Sequence, residues 1–160
     1  MITHGNATAI DACRYASWLL TQFTRGVEKK QALALQWPYE PLSPDIAAVA
    51  NGSYRDKSFE QIQTSIDMSE TLEAALWALW HHDDFASGAL ALANLRGFTE
   101  SGGQLYGELA GVVYGERNLP PAWLEKLQKR DEIAWIAEEL LRTAWQNFSG
   151  DEAKRGIDAL

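Results

Sequence analysis

Sulfur and imidazole are scarce in this chain: its 160 residues include one cysteine, two methionines and three histidines. A lone thiol excludes an internal disulfide, so the fold has to rest on non-covalent packing. Set at helical spacing among Ile10, Ala16 and Leu20, Cys13 is expected to be a small buried hydrophobe and not a reactive thiol. Basic residues are also in deficit. Lys and Arg total 14 against 22 Asp and Glu, and the net charge of −8 argues against nucleic acid or an anionic membrane as partner. No uninterrupted apolar run approaches the roughly 20 residues of a membrane helix, and no signal-peptide pattern precedes the first helix. The expected compartment is the cytoplasm.

Several chemical signatures are missing too. The alternation of apolar and polar residues that marks strands is almost absent. Ser101 in ESGG has no Gly-x-Ser-x-Gly elbow around it and no histidine with a sequence claim to be its base, so a helix N-cap is its expected role. The glycines of the same stretch match neither a P-loop nor a dinucleotide fingerprint, both of which need a preceding strand.

What is present is helical. With 46% hydrophobic residues and seven tryptophans, the chain has ample material for one core. The apolar period predicts helices over 8–25, 28–36, 44–50, 70–80, 85–95, 101–114 and 131–148, a short one after Pro121, and one turn near 59–63. Gly26 and Asn51-Gly52 end the first and third, and Ser43 caps the third. The first helix turns Ile10, Cys13, Ala16, Leu20 and Phe23 inward, and the last one Ile133, Ile136, Ala137, Leu140, Leu141, Ala144 and Phe148. The expected fold is all-α, a compact orthogonal bundle of six to eight helices. It is expected to be one domain over 1–148 with a polar tail at 149–160.

Gly103, Gly107, Gly111 and Gly115 recur every fourth residue, which places them near one face of a helix. Each interior glycine costs about 1 kcal/mol relative to alanine, so the stripe is expected to let another helix pack closely. His81-His82-Asp83-Asp84 has metal-ligand chemistry. Its expected role is nevertheless structural, with the histidines at one helix's C-terminal dipole and an aspartate capping the next. His4 is expected to hydrogen-bond at a helix entry.

The run NLRGFTESGGQLYGELAGVVYG from Asn94 to Gly115 resembles the C-terminal motif of the ADP-ribosylglycohydrolases, where Asn-x-Gly-Gly-Asp-x-Asp-Thr-x-Gly leads into a glycine-rich helix. THGN at 3–6, LEAALWAL at 72–79, Asp84-Phe85, LAGVVYG at 109–115 and LPPAWLEKL at 119–127 resemble that family in the same order. The resemblance implies a helical fold and an ADP-ribose-related ancestry. It also implies a place for the family's pair of metal ions, usually magnesium.

Two departures limit what carries over. Aligned on Asn94 and Gly103, the family's aspartates fall at Phe98 and Glu100, its two motif glycines at Arg96 and Gly97, and its threonine at Ser101. Hard cations want several oxygen ligands; Phe98 offers none from its side chain, and Glu100 is the single metal candidate. THGN resembles the middle of the family domain, and no Thr-Asp-Asp run precedes it, so the resemblance covers the second half only. Magnesium is expected only if the family's metal binding is retained, and no other cofactor is implied. Asn94, Thr99, Glu100, Ser101, Gly102 and Gly103 form the expected ligand-binding remnant. The function expected is a non-catalytic interaction module that forms a homodimer, with Trp18, Trp77 and Trp80 either at the interface or in the core. The alternatives are an ADP-ribose-related binder or residual hydrolase, and one subunit of a split enzyme completed by a separate N-terminal-half partner.

Overall fold

A computed structural model describes residues 5–97 and 99–148, the side chains of 145–148 excepted. His4, Phe98 and the tail at 149–160 lie outside the described residues. The chain divides into two compact units, Met1–Leu119 and Pro120–Leu160. Among the described residues, the first holds six α-helices: α1 (Ala7–Thr24), α2 (Lys29–Ala34), α3 (Pro44–Ala50), α4 (Met68–His81), α5 (Phe85–Ala93) and α6 (Thr99–Tyr114). Short 3-10 turns cover Phe59–Gln61 and Glu116–Asn118. The second unit holds α7 (Pro121–Lys126) and α8 (Arg130–Phe148). The fold is all-α; among the described residues the only extended pairing is an isolated parallel bridge between Thr64 and Gly97.

Local chemistry sets the helix ends. Asn6 caps α1 through its side-chain oxygen, which accepts from Thr8 N–H at 2.8 Å. At the other end Gly26 takes φ +82°, its N–H donates to Phe23 C=O and that of Val27 to Gln22 C=O, a Schellman closure. Gly52 repeats the device after α3 at φ +93°, with Gly52 N–H on Val49 C=O and Ser53 N–H on Ala48 C=O. Ser43 stands at the N-cap of α3 but makes no cap bond with its side chain; instead its N–H donates to the buried carboxylate of Asp11 at 2.7 Å. That donation, with the Arg14 guanidinium beside it, holds the Asp11 carboxyl below its ordinary range against the opposing effect of burial.

The core forms around α4. Leu72, Ala74, Ala75, Leu76, Ala78 and Leu79 are fully enclosed and Trp77 nearly so. A helix apolar on most of its circumference has to be surrounded, and α1, α3, α5 and α6 all pack on it. Trp77 belongs to this core, its Nε1 donating to Lys57 C=O at 2.9 Å, while Trp80 is half-buried beside Tyr54. The register of α1 differs from the expected one. Ala9, Ala12, Tyr15, Ala16, Leu19 and Phe23 face inward, whereas Ile10 is 40% exposed and Cys13 is exposed. Fully burying Tyr15 and Leu19 turns the helix away from the stripe through Cys13, because two large side chains outweigh a thiol.

A buried cation joins the helix ends. The ammonium of Lys29, 9% exposed, donates to His82 C=O at 2.6 Å, to Asp83 Oδ1 at 3.1 Å and to the Tyr114 hydroxyl at 3.1 Å. Burial alone would favour the neutral amine; the bonds to Tyr114 and Asp83 outweigh it, and the pKa is raised. Tyr114 Oη in turn donates to His82 C=O at 2.7 Å.

The glycine stripe does not act as expected. A Cβ built on Gly103, Gly107 or Gly111 meets nothing within 4 Å among the described residues. The buried side of α6 is the neighbouring one, formed by Gly102, Tyr106, Leu109 and Ala110, and there a Cβ on Gly102 would stand 3.9 Å from Thr71 C=O of α4. A four-residue repeat slips about 40° per step round a helix of 3.6 residues per turn, so the stripe drifts off the packed face. Gly115 is used differently and ends α6 at φ +75°. In α8, Ile133, Ile136, Leu140 and Leu141, expected to face inward, are 51%, 44%, 67% and 69% exposed.

These environments predict opposite outcomes for two glycine-to-alanine changes. Gly107→Ala should raise stability by up to about 1 kcal/mol through helix propensity. In Gly88→Ala the new methyl would stand 2.2 Å from the hydroxyl oxygen of the buried Tyr106, which is held on Phe85 C=O at 3.0 Å, and should cost about 1–3 kcal/mol. Thermal melts of the two variants should move in opposite directions.

Candidate functional site

The segment that carries the family motif begins where α5 stops. Asn94 is the C-cap of α5, and its side-chain amide donates back to Leu90 C=O at 2.7 Å. Its NH2 group is thus turned onto its own helix. Leu95 is buried and anchors the loop. Gly97 then crosses Thr64 at φ +105°, so close that a Cβ would stand 2.0 Å from Thr64 C=O. Thr64 Oγ1 donates to Arg96 C=O at 2.7 Å and closes the crossing. Only glycine supplies both this left-handed backbone and this approach.

From there α6 starts at Thr99, whose N–H donates to Gly97 C=O at 3.1 Å. The start is two residues earlier than the sequence pattern suggests. Ser101 therefore sits inside the first turn, exposed, and is not the N-cap. Glu100 is also exposed in that turn, where its carboxylate complements the positive end of the helix dipole.

A groove of about 740 Å³ opens beside the crossing, lined among others by Phe59, Ile62, Thr64, Glu70, Asn94 and Arg96. Of the expected remnant, Asn94 reaches this groove together with Gly97, whereas Thr99, Glu100, Ser101, Gly102 and Gly103 do not line it. Glu70 and Arg96 bring opposite charges to it, and one carboxylate oxygen of Glu70 is buried without a hydrogen-bond partner among the described residues. Nothing in the spacing of the sequence links Glu70 or Thr64 to Asn94: Thr64 lies in the polar, aperiodic stretch before α4 and is brought here by the crossing at Gly97, while Glu70, in the first turn of α4, is brought by the packing of α4 on α5.

The four residues at 81–84 have structural roles. His81 ends α4 and His82 is its C-cap, while Asp84 caps α5 by accepting from Ser87 N–H at 2.8 Å. Burial and the neighbouring His81 lower the pKa of His82. Burial of this ring thus favours its neutral form. No three His, Cys, Asp or Glu side chains converge on one point among the described residues. The donor set around Glu100 therefore does not by itself fit the metal pair of the resemblance.

Residues 1–149 match the family model described as ADP-ribosylglycohydrolase. The chain is 32% identical over 145 residues to the ADP-ribosylarginine hydrolase Tri1 of Serratia proteamaculans (strain 568), covering 90% of this chain and 39% of that protein. The corresponding protein of Pseudomonas putida (strain GB-1) is 34% identical over 145 residues, with 91% and 38% covered. A solved structure titled ADP-ribosylglycohydrolase-related protein complex superposes with a TM-score of 0.78 at 35% identity, covering 88% of this chain and 49% of that one. The chain thus spans about two fifths of the length of the curated relatives it matches.

The crossing at Gly97 makes a graded prediction. Thr64→Val removes one hydrogen bond and should cost about 1 kcal/mol. Gly97→Ala meets backbone and not a movable side chain, so it should cost more and raise amide hydrogen exchange around 94–97 and 62–65. Equal melting temperatures for the two variants would mean that the crossing is not formed.

Proposed function

The chain belongs to the ADP-ribosylglycohydrolase family, and from that premise we propose that it serves as a non-catalytic, self-associating interaction module of the family. The observation that carries this reading is the apolar stripe of α8. Ile133, Ile136, Leu140 and Leu141 lie at helical spacing on one side, each between 44% and 69% exposed, and an apolar stripe of this kind marks an interface.

A second copy is the simplest occupant, because a twofold pair presents the stripe to itself. In an antiparallel pair of α8 helices related by a twofold axis at Ala137, Ile133 of each chain lies level with Leu141 of the other, so the stripe covers itself. Fully burying such a side chain is worth about 1.5–3 kcal/mol. Eight of them, already half-covered, contribute the same order as the roughly 4–15 kcal/mol that association costs. The dimer is therefore concentration-dependent.

Catalytic silence is the other half of the reading. A metal-activated water needs an assembled ligand set, and Glu100 is the one carboxylate that the motif retains. Its exposed place in the first turn of α6, away from the groove beside Asn94, supports a module without hydrolase activity of its own.

With magnesium, release of ADP-ribose from an ADP-ribosylarginine substrate should stay at the rate without protein. Metal-dependent turnover that disappeared in Glu100→Gln would overturn the reading and make the chain a residual hydrolase.

Light scattering over a hundredfold dilution should follow a dimer dissociating to a 17.8 kDa species. Leu140→Glu should give the monomer at every concentration and melt no lower than the wild type does at high dilution, where the wild type is also monomeric. A wild-type chain that stays monomeric at high concentration would exclude self-association and leave α8 to a different partner, such as a separate N-terminal half.

A further inference from the structure

On the far side of α1 from α4, a groove of about 730 Å³ runs between that helix and residues 37–40. Its size is that of a small-molecule site, and it shares no lining residue with the groove beside Asn94. We propose that it binds a planar aromatic anion of the mononucleotide class.

The walls are aromatic. Trp18 and Trp37 stand 5.7 Å apart at 83°, and Trp37 and Tyr39 stand 5.1 Å apart at 71°. Rings set nearly at right angles form a corner in which a flat ring laid on one face meets the edge of the next. The corner is fixed in place. Trp37 Nε1 donates to Glu40 C=O at 2.8 Å, and Tyr15, fully buried, backs both tryptophans at 5.7 and 6.0 Å. Tyr39 remains 64% exposed and forms the outer lip.

The rim supplies charge. Arg14 is held by a relay that begins in the backbone: Ser43 N–H donates to Asp11, and Asp11 accepts from Arg14 Nη1 at 2.9 Å. The relay sets the guanidinium 5.4 Å from the Trp37 ring. It buries an aspartate to 8% exposure in order to aim a partly exposed arginine at an aromatic wall. Arg25 at the end of α1 lines the same groove and has no ion-pair or hydrogen-bond partner for its side chain among the described residues. The Schellman closure already satisfies the carbonyls of Gln22 and Phe23 beside it, which limits their repulsion of an anion. Ser17 and Gln22 add neutral hydrogen-bonding groups.

The same features discriminate among ligands. An aromatic corner can also hold a cation, but Arg14, itself paired with Asp11, covers one ring face, and Arg25 offsets the carboxylate of Glu40 at the rim. In a chain of net charge −8, a rim whose acids are all matched leaves Arg25 to offer its planar guanidinium fork to a phosphate while the ring stacks.

The probe is adenosine monophosphate, followed by tryptophan fluorescence, with adenosine and inorganic phosphate as separate arms. Saturable quenching by the monophosphate is expected, with adenosine binding at least about tenfold more weakly and phosphate alone leaving the tryptophan signal unchanged. Arg25→Ala should weaken binding about tenfold and Tyr39→Ala severalfold; both positions are on the surface, and the melting temperature checks that the fold is kept. Equal binding of adenosine and the monophosphate would overturn the anion assignment. No saturable response from folded wild-type protein at about 10 mM ligand would overturn the site. A response that survived Tyr39→Ala and Arg25→Ala together but vanished in Asn94→Ala would place the ligand in the other groove. None of these outcomes depends on the chain's oligomeric state.

Discussion

The enclosure of α4 is the constraint on which the first unit depends. Its alanines at 74, 75 and 78 and leucines at 72, 76 and 79 leave almost no polar side on the helix, so neighbours must cover it from several directions. Small residues decide how near they come. Ala74 and Gly102 bring α6 and α4 together, while Gly88 makes room for Tyr106 between α5 and α6. Interiors pack at the density of organic crystals, so each of these positions fixes a helix axis as much as it fills space.

The connections between helices have little core of their own and are pinned by side chains reaching backbone groups. Asp11 receives the N–H of Ser43, and Lys29 donates to the carbonyl of His82. Trp77 holds Lys57, and Thr64 holds Arg96. Charged and polar groups inside the protein thus do for the loops what apolar contacts do for the helices, and they satisfy backbone groups that burial would otherwise penalise. Both grooves rest on this arrangement. One is aimed by the Asp11 relay, the other is opened by the crossing of Thr64 and Gly97.

Helix positions were legible in the sequence because caps and stops are local. Asn6, Gly26, Asn51-Gly52 and Asp84 act within one turn of where they stand in the chain, and the apolar period locates what lies between. Phase was harder to read. In α1 the pattern through Ile10 and Cys13 and that through Tyr15 and Leu19 differ by a small rotation, and which is buried depends on what α4 and α3 present. The glycines at 103, 107 and 111 misled for a related reason: small side chains permit close approach but do not compel it, and no neighbour takes the offer among the described residues. In the candidate site, Asn94 and Gly97 could be read from the motif, whereas Glu70 and Thr64 could not. Their place depends on a contact between chain segments about 30 residues apart, and no local pattern encodes it.

The Lys29 ammonium also bears on the order of folding. Its three partners lie 53, 54 and 85 residues along the chain, so the set is complete only when α4, the turn after it and the end of α6 have been gathered. Contacts of such separation follow loop closure and do not guide it. Interactions absent from the transition state govern how fast a native chain opens and leave the rate of its formation nearly untouched. The cation thus acts as a latch on a finished structure, and its contribution belongs to the lifetime of the fold and not to the speed with which it is reached.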